Sequence, residues 1–412
     1  MMEYGLIGEK LGHSYSPLIH RCFGAYDYRL CPLPPEEVPP LLERREFKGL
    51  NVTIPYKQTV LPFCDGVSDT VRQVGSANTL ISRNGRLIAH NTDLPGFLFM
   101  LRKGGIALRG RKVLILGSGG TSLTAQAACR LENARETVVV SRRGPVTEEN
   151  MASLHPDAQV IVNATPVGMY PDTDVSPADL SLFPELAGVA DVIYNPSRTA
   201  LLRQAEALGV PRVGGLWMLA AQGYYAAQLF LDRTLPEALI EKAYRAVRRE
   251  CLNLILIGMP GSGKSTLGRL AAEKLGRRFV DLDAEIEKRC GPIPEIFARQ
   301  GEAAFRDMET RVIREFAKES GLVIAAGGGA VLREENRIAL RQNAAVCRLN
   351  RPVPLLSTEG RPLSTGAAAL SAMAEAREPL YRETADYTVE NAGEKGAALE
   401  KILEGFDENT GD

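Results

Sequence analysis

The length, composition and charge of the chain exclude several classes of protein. Its 412 residues suffice for two or three domains, and a hydrophobic fraction of 45% with a charged fraction of 24% is typical of a water-soluble globular protein. The 49 lysines and arginines nearly balance the 50 acidic residues, so no net field favours nucleic acid or an acidic membrane as a partner. The seven cysteines are scattered, and neither a signal peptide nor a run of about 18 apolar residues is recognisable. We therefore expect a cytoplasmic protein with reduced thiols, no membrane segment and small-molecule partners.

The first predicted elements place polar side chains at a helix start and at a strand end. A strand at 4–7 is followed by Ser14 and Ser16, which open a helix. Two hydroxyls at a helix N-terminus can bind a carboxylate, although Ser16 could instead act only as a helix cap. The next strand alternates apolar residues over 50–54 and stops at a proline. Thr53 and Lys57 therefore lie where ligand groups gather, although a lone lysine there is commonly just solvated.

A hairpin is predicted next, because the Asn-Gly pair at 84–85 lies between two alternating apolar segments. Its turn brings the Asn-Thr pairs at 78–79 and 91–92 to the same end of the hairpin. Asp93 follows the second pair, so amide, hydroxyl and carboxylate groups are expected to converge there.

Together these segments resemble the shikimate dehydrogenase family. The motifs that carry the resemblance are HSYSP at 13–17, NVTIPYK at 51–57, SANT at 76–79 and NTD at 91–93. The resemblance implies that Ser14 and Ser16 bind the carboxylate of the substrate. It also assigns the ring hydroxyls to Thr53, Asn78 and Asp93, and the catalytic roles to Lys57 and Asp93. The chemistry suits these residues, because a ketone reduced by hydride needs a proton, and a lysine ammonium beside a carboxylate can polarise the oxygen and donate one.

A strand, a glycine-rich turn and a helix follow at 111–128, as in dinucleotide-binding folds. The turn contains three glycines in a G-x-G-G spacing: Gly117, Gly119 and Gly120. This spacing departs from the common G-x-G-x-x-G and is a weak signal by itself. The next strand, at 137–140, ends in Ser141, Arg142 and Arg143. Two arginines suit the 2′-phosphate of NADP, so NADPH is the expected cofactor, although they could also be ordinary surface charges.

Three later segments match the same family: VIVNATPVGM at 160–169, DVIYNP at 191–196 and GLWMLAAQG at 215–223. The resemblance assigns four of their residues to the cofactor: Asn163, Thr165, Met169 and Gly215. On the substrate side it assigns Tyr194 and Gln222. It extends from residue 4 to about 248. It implies an NADP-binding lobe at 95–214, inserted into a substrate lobe formed by 1–94 and 215–248.

A second nucleotide site is predicted from the apolar strand at 252–257 and the G-x-x-x-x-G-K-S loop that follows it. Its glycines allow successive backbone amides to face a polyphosphate, and the next helix adds the positive end of its dipole. We expect six residues to bind the nucleotide: Gly261, Ser262, Gly263, Lys264, Ser265 and Thr266. Lys264 would reach the terminal phosphates, and Ser265 would bind a magnesium ion. The alternative is a glycine-rich turn with a chance lysine.

The strand predicted at 279–281 ends in two carboxylates close to this loop. Asp281 suits a magnesium ligand, and Asp283 suits the alignment or deprotonation of an accepting hydroxyl. Asp283 could alternatively cap the helix that follows.

The second half resembles shikimate kinase from residue 252 to about 389. Its motifs stand in order: GMPGSGKST, DLD, GEAAFR, GGG, RPL and R-x-P-L-Y. The resemblance implies ATP as the phosphate donor, and it assigns the carboxylate of shikimate to Arg306 and Arg377. The remaining assignments are the hydroxyls to Asp283, the ring face to Gly328 and Gly329, and the phosphates to Lys264 and, from a lid, Arg361. The lid segment at 351–359 is shorter than is usual in the family.

The two halves imply one α/β chain with two consecutive reactions. A two-lobed dehydrogenase with a Rossmann-like lobe at 1–248 would precede a P-loop kinase domain with a helix-covered parallel sheet at 252–403, and 404–412 is expected to be a disordered tail. The first domain would reduce 3-dehydroshikimate to shikimate with NADPH. The second would phosphorylate shikimate with ATP and magnesium, on the route to chorismate and the aromatic amino acids.

Two alternatives stay open at this point. The kinase-like half could be a non-catalytic, nucleotide-binding regulatory domain, which the short lid segment would favour. Both halves could instead act on related substrates, such as quinate or another small alcohol. The sequence determines neither the oligomeric state nor whether shikimate passes directly between the sites.

Overall fold

The computed structural model describes residues 3–12, 14–356 and 367–410. The chain divides into two compact units. The first unit comprises Met1–Tyr194 with Thr199–Val247, and the second comprises Asn195–Arg198 with Arg248–Asp412. Among the described residues, no helix has the length and apolar character needed to cross a membrane.

The first sheet has six strands, in the order β2-β1-β3-β5-β6-β4. The strands are β1 (Tyr4–Gly8), β2 (Tyr28–Pro32), β3 (Gly49–Val52), β4 (Gly66–Val67), β5 (Thr79–Arg83) and β6 (Arg86–His90). The predicted hairpin is confirmed: β5 and β6 are antiparallel, and Asn84 and Gly85 both have positive φ angles, of 52° and 75°. The strand predicted over 50–54 is confirmed as β3, which ends at Val52. Every residue of β3 is buried, because β3 lies inside the sheet with both faces covered, and Ile54 beyond its end is 77% exposed.

The second sheet has five parallel strands, in the order β11-β10-β9-β7-β8. The strands are β7 (Lys112–Leu116), β8 (Glu136–Val140), β9 (Val160–Asn163), β10 (Gly188–Asp191) and β11 (Arg212–Gly214). The chain leaves β7 first towards β8 and later returns to β9 on the other side. In doubly wound folds, ligands bind at the carboxyl ends of the strands at this reversal point.

The third sheet belongs to the second unit and also has five parallel strands, in the order β13-β14-β12-β15-β16. The strands are β12 (Asn253–Ile257), β13 (Phe279–Asp281), β14 (Val323–Ala325), β15 (Ala344–Asn350) and β16 (Tyr387–Glu390). β12 lies at the centre and is entirely buried, as its run of apolar residues predicts. The glycine-rich loop leaves its carboxyl end.

Helices cover these sheets. In the described part of the first unit, nine helices lie or begin: α1 (Ser16–Arg21), α2 (Val38–Arg44), α3 (Asp69–Val74), α4 (Asp93–Lys103), α5 (Gly120–Leu131), α6 (Met151–Leu154), α7 (Ala200–Ala207), α8 (Leu216–Leu231) and α9 (Ala238–Cys251). Six lie in the second unit among the described residues: α10 (Lys264–Leu275), α11 (Leu282–Cys290), α12 (Ile293–Ala317), α13 (Glu334–Arg341), α14 (Ala367–Thr384) and α15 (Lys395–Asn409). Short 3-10 helices span Pro35–Glu37, Leu61–Phe63, Leu180–Leu182, Ala330–Leu332 and Val353–Leu355.

Helices α4 and α8 approach each other closely in the first unit. A side chain added at Gly96 in α4 would lie 3.0 Å from the backbone nitrogen of Gln222 in α8, which is tighter than most side-chain contacts, so a glycine favours this close approach. The two helices carry Asp93 and Gln222, and their close packing fixes both residues relative to the first sheet.

The end of the chain differs from the prediction. α15 continues to Asn409, and Phe406 is fully buried together with Ile402, one helical turn earlier. The predicted disordered tail from Glu404 is therefore wrong up to Asn409, because this i, i+4 apolar pair packs in the core that covers β16.

Candidate active sites

The first unit contains a cavity of about 470 Å³, here named the first cavity. Nine of the predicted site residues line it: Ser14, Ser16, Thr53, Lys57, Asn78, Asp93, Tyr194, Gly215 and Gln222. The residues come from segments far apart in the chain, and the folded first unit brings them together.

Lys57 and Asp93 form the polar centre of the first cavity. The Nζ atom of Lys57 lies 2.6 Å from Oδ2 of Asp93, and the two side chains are only 26% and 11% exposed. The other oxygen, Oδ1, accepts a hydrogen bond of 2.9 Å from the amide of Asn78. Because Asp93 is the first residue of α4, the helix dipole also favours its negative charge. The carboxylate is thereby fixed, and it orients the ammonium.

The hairpin holds Asn78 in this position. The backbone nitrogen of Thr92 donates to Oδ1 of Asn78 at 2.7 Å, and Nδ2 of Asn78 donates to the hydroxyl of Thr92 at 3.0 Å. The two Asn-Thr pairs therefore meet at one end of the hairpin, as the turn predicts. Both residues are buried, which leaves the carbonyl and amide of Asn78 little freedom to reorient.

Two serines and two tyrosines form another part of the wall. The hydroxyl of Ser14 donates to the hydroxyl of Ser16 at 3.1 Å. Ser16 is the first residue of α1 and its cap position is occupied by Tyr15, so capping does not account for Ser16. The rings of Tyr15 and Tyr194 meet edge to face with centroids 6.2 Å apart.

Asn51 stabilises the wall of the first cavity through side-chain hydrogen bonds. Its Oδ1 accepts from the hydroxyl of Tyr28 at 2.8 Å, and its Nδ2 donates to the hydroxyl of Thr79 at 3.0 Å. The ring of His20 stacks on Tyr28 at 3.9 Å. Burial lowers the pKa of His20 to about 3, so this imidazole is neutral near pH 7 and serves packing.

The second unit contains a cavity of about 590 Å³, here named the second cavity. The predicted site residues that line it are Gly261, Gly263, Lys264, Ser265, Thr266, Asp281, Asp283, Arg306, Gly328, Gly329 and Arg377. Ser262 is fully buried outside this lining, and its backbone nitrogen donates to the carbonyl of Met259 at 3.1 Å. Arg361 lies outside the described residues.

The glycine-rich loop is shaped as a phosphate-binding loop. Gly258, Gly261 and Gly263 have φ angles of 143°, 81° and 99°, which side-chain-bearing residues rarely adopt. Lys264 is 8% exposed, and its Nζ donates to the carbonyls of Gly258 at 2.8 Å and Met259 at 3.0 Å. The ammonium is thus folded back across its own loop, where it faces the space that the loop amides enclose.

A buried ion pair holds Arg306 at the opposite wall. Nη1 of Arg306 donates to Oε2 of Glu309 at 2.7 Å, and Nη2 donates to Glu302 at 3.0 Å. The guanidinium lies so close to Gly329 that any side chain there would overlap it. Oε1 of Glu309 is buried without a hydrogen-bond partner among the described residues. Burial raises the pKa of Glu309, and Arg306 opposes that rise.

Arg377 and Asp283 complete the second cavity. Nη1 of Arg377 donates to the carbonyl of Gly328 at 2.9 Å, and the hydroxyl of Tyr381 donates to the same carbonyl at 2.5 Å.

Burial raises the pKa of Asp283, and the positive charge of Lys264 opposes that rise. Asp281, and not Asp283, caps the next helix: its Oδ1 accepts from a backbone nitrogen at 3.3 Å. Asp283 is therefore available to a ligand.

Comparison with known proteins identifies both units. Residues 6–80 match the family model of the shikimate dehydrogenase substrate binding domain, and residues 260–406 match that of shikimate kinase. The shikimate dehydrogenase (NADP(+)) of Symbiobacterium thermophilum is 34% identical over 269 residues, which cover 56% of this chain and 90% of that protein. The chain belongs to the shikimate dehydrogenase family. Its second unit carries the shikimate kinase match, and the resemblance predicted for each half of the sequence is confirmed.

Solved structures agree with this assignment. A chorismate mutase/shikimate 5-dehydrogenase fusion protein from Clostridium acetobutylicum has 32% identity and a TM-score of 0.57, covering 60% of this chain and 96% of that chain. The shikimate 5-dehydrogenase of Thermus thermophilus, solved in complex with NADP(H) and shikimate, has 35% identity and a TM-score of 0.53, covering 60% and 100%. The predicted α/β class with a Rossmann-like lobe and a P-loop domain is confirmed.

The predicted glycine-rich turn of the dehydrogenase lies at the reversal point of the second sheet, where the chain leaves β7. Gly117 follows β7 with a φ of 102°, and a side chain there would lie 2.9 Å from the methyl group of Thr165. Gly119 and Gly120 have open space where side chains would be, at the start of α5. Ser141 follows β8, the neighbouring strand.

The remaining predicted cofactor residues differ in exposure. Arg142 and Arg143 are exposed beyond β8, and Met169 is 45% exposed. Asn163 is completely buried, and its Oδ1 accepts from the nitrogen and hydroxyl of Thr165 at 3.0 and 2.6 Å. Asn163 therefore shapes the loop from within. A side chain at Gly215 would overlap the carbonyl of Val192, so this glycine permits a close backbone approach.

Sequence reasoning missed Asp191, which links two loops of the dehydrogenase. Its fully buried carboxylate accepts from Asn163 Nδ2 at 3.1 Å, from the nitrogen of Ile193 at 3.0 Å and from the hydroxyl of Thr199 at 2.7 Å. It thus connects the loop of Thr165 with the segment that leads to Tyr194. Burial raises the pKa of Asp191 to about 6. A polar residue at the last position of an apolar strand was the available signal.

Glu309 was also missed as a site residue. It lies three residues after Arg306 on one helix, a spacing at which opposite charges pair, so the signal was present in the sequence. The helix α12 that carries both breaks at Gly301, which has a φ of 81°. This break explains why a glycine begins the GEAAFR motif.

Proposed function

We propose that the chain is a bifunctional enzyme that reduces 3-dehydroshikimate to shikimate with NADPH and then phosphorylates shikimate with ATP. The arrangement of Lys57, Asp93 and Asn78 in one cavity carries the first activity. For the second activity, the support is a phosphate loop, a carboxylate at Asp283 and two arginines around one cavity. The reactions are consecutive steps towards chorismate and the aromatic amino acids.

In the dehydrogenase, the residues of the first cavity bind the substrate and deliver a proton. NADPH supplies the hydride when it is bound. Lys57 holds the carbonyl oxygen of the substrate and donates a proton from Nζ as the alkoxide forms, while Asp93 orients the ammonium. The substrate carboxylate is assigned to Ser14 and Ser16. The hydroxyls are assigned to Thr53, Asn78 and Asp93, and Tyr194 and Gln222 close the remaining wall.

In the kinase, the loop amides and Lys264 bind the phosphates of ATP. Arg306 and Arg377 bind the carboxylate of shikimate in a planar, bidentate fashion, and Gly328 with Gly329 leaves room for its ring. Asp283 aligns the hydroxyl that attacks and accepts its proton. We assign Arg361 to the phosphates as well.

A magnesium ion fits the second cavity. Ser265 and Asp281 line it, and Asp281 uses Oδ1 as a helix cap, which leaves Oδ2 for a metal. Oxygen ligands of this kind suit magnesium, which would neutralise phosphate charge during transfer.

We assign the dehydrogenase to 1–248 and the kinase to 252–403, with the rest of α15 belonging to the kinase. The assigned cofactor residues of the dehydrogenase flank the reversal point of its second sheet. Partners are small molecules, and the seven free cysteines fit the reducing cytoplasm that we propose as the location.

A coupled assay tests this proposal. The purified chain receives 3-dehydroshikimate, NADPH and magnesium-ATP, and the loss of NADPH and the release of ADP are followed separately. We expect both signals, with shikimate 3-phosphate as the product. Loss of NADPH without ADP would contradict the kinase activity and favour a regulatory nucleotide-binding unit. Quinate and shikimate offered in the reverse direction, with NADP⁺, test the choice of substrate.

A further inference from the structure

Two of the charged residues described around the first cavity form an ion pair with each other, and a third does not take part in it. Three charged residues line it among the described residues: Lys10, Lys57 and Asp93. Lys57 is engaged by Asp93 at 2.6 Å, so these two charges compensate each other. Lys10 has no ion-pair partner among the described residues. The lining therefore keeps one uncompensated positive charge, and it is located at Lys10.

The loop after β1 holds Lys10 at the edge of the cavity. A side chain at Gly8, the last residue of β1, would lie 2.5 Å from a methyl carbon of Thr53, so the loop begins directly against this cavity residue. On the other side of Lys10, Leu11 is buried at 7% exposure, and its carbonyl accepts from the nitrogen of Ser14 at 3.3 Å. Lys10 thus lies between two packed positions, while its own side chain is exposed.

We propose that Lys10 is a further carboxylate-binding residue of the dehydrogenase: its ammonium pairs with the substrate carboxylate that Ser14 and Ser16 hold. This inference rests on the proposed function. The two serines donate hydrogen bonds but bring no charge, and Lys57 is committed to Asp93 and to the reacting oxygen. Among the described lining residues, Lys10 is the cation without an acidic partner, so it can neutralise a bound anion. It therefore favours hydroxylated ring carboxylates over their neutral analogues.

A comparison of two substrates with two variants tests this proposal. Lys10→Ala is compared with Lys48→Ala, a control at an exposed lysine that pairs with Glu3 outside the cavity and changes the net charge equally. Each protein oxidises shikimate, or its methyl ester, with NADP⁺. For shikimate we expect Lys10→Ala to raise KM about fivefold, the change that corresponds to an exposed ion pair of about 1 kcal/mol. The kcat and the KM for NADP⁺ stay unchanged.

The methyl ester distinguishes charge recognition from a structural effect. It lacks the negative charge, so wild type and Lys10→Ala are expected to share one KM for it, and Lys10→Arg is expected to behave as wild type with both substrates. Raising the salt concentration should also bring the wild-type KM for shikimate towards that of Lys10→Ala.

Three results would overturn the inference alone, with a wild type that oxidises shikimate normally. They are an unchanged KM in Lys10→Ala, an equal rise for the acid and the ester, and an equal rise in Lys48→Ala. A wild type that does not oxidise shikimate would overturn the proposed function, and this inference with it.

Discussion

The two cavities arrange charge in different ways, although both are proposed to bind shikimate. The first cavity has one lysine–aspartate pair, one uncommitted lysine and a wall of hydroxyls and amides. Among the described residues, the second is lined by four cations and four anions: Lys264, Arg306, Arg351, Arg377, Asp281, Asp283, Glu287 and Glu309. Hydride transfer to a ketone develops about one negative charge on the carbonyl oxygen, and one proton donor can neutralise it. Phosphoryl transfer must also hold a polyphosphate, which requires several fixed cations.

The difference extends to how the cations are held. Lys57 is oriented by Asp93, the first residue of α4, whereas Arg306 is held by Glu309, which is 1% exposed. A buried carboxylate fixes the arginine firmly, but it becomes costly when its partner is removed. The kinase site should therefore tolerate the loss of one charge less well than the dehydrogenase site.

Removal of Lys57 should give the largest effect on activity and confine it to one site. Lys57→Ala is expected to lower reduction of 3-dehydroshikimate by about 10²- to 10⁴-fold, the range for loss of a positioned proton donor. Phosphorylation of added shikimate should be unchanged. NADPH loss and ADP release, measured separately, check this. If phosphorylation fell equally, the two sites would not be independent.

Removal of Arg306 should affect both activity and stability. Arg306→Ala leaves Glu309 buried without its cation, so we expect the second unit to lose about 3–5 kcal/mol of unfolding free energy. The double variant Arg306→Met with Glu309→Gln removes both charges and should recover most of that stability without recovering phosphorylation. Thermal unfolding and ADP release separate these effects. Normal phosphorylation in the double variant would contradict the role of Arg306 in binding.

Neutralisation of Asp283 should impair chemistry with little effect on folding. We expect Asp283→Asn to reduce phosphorylation by about 10²-fold, since the attacking hydroxyl loses its proton acceptor. Binding of ATP analogues should persist. Asp307→Asn serves as the control, because Asp307 is exposed and pairs with Arg333 outside the cavity. Equal rates for the two variants would show that Asp283 has no catalytic role.

Asp191 should show the smallest effect, with a defined pH dependence. Asp191→Asn cannot accept from all three donors, and we expect a loss of about 1–3 kcal/mol of stability with a higher KM for NADPH. Burial raises the folded pKa of Asp191 to about 6, above an unfolded value of about 3.9. The protonated form is therefore favoured by folding, and this stabilisation is complete below about pH 3.9 and is lost as pH rises through 6. The stability advantage of wild type over Asp191→Asn should fall over that interval in unfolding measurements at several pH values. A constant advantage would contradict it.

Motifs with a fixed local geometry were predictable. The phosphate loop follows from glycines at positions with positive φ after an apolar strand, and the hairpin follows from its Asn-Gly turn. Contacts between segments that are distant in the sequence were less predictable. The bond between Thr199 and Asp191 depends on how α7 packs after β10, and no local pattern encodes that packing.

Burial was the property that local patterns predicted least well. Apolar and polar residues alternate at 50–54, but the position of β3 inside the sheet covers both its faces. The polar residues of 404–409 suggested disorder, but Phe406 is buried in a core that residues from other elements of the second unit form. In both cases the neighbours of a segment, and not its own composition, decide what is buried.

The order of the elements and the family of each half follow from residue types at short spacing, so the sequence predicts them, together with the chemistry that we propose for the two sites. Which polar groups meet depends on the tertiary structure. Lys57 and Asp93 are 36 residues apart, and Arg377 reaches the carbonyl of Gly328 across 49 residues. Such pairs form only after a sheet has assembled. Lys57 and Asp93 follow β3 and β6, two strands of the first sheet, and α14 carries Arg377 to the loop after β14.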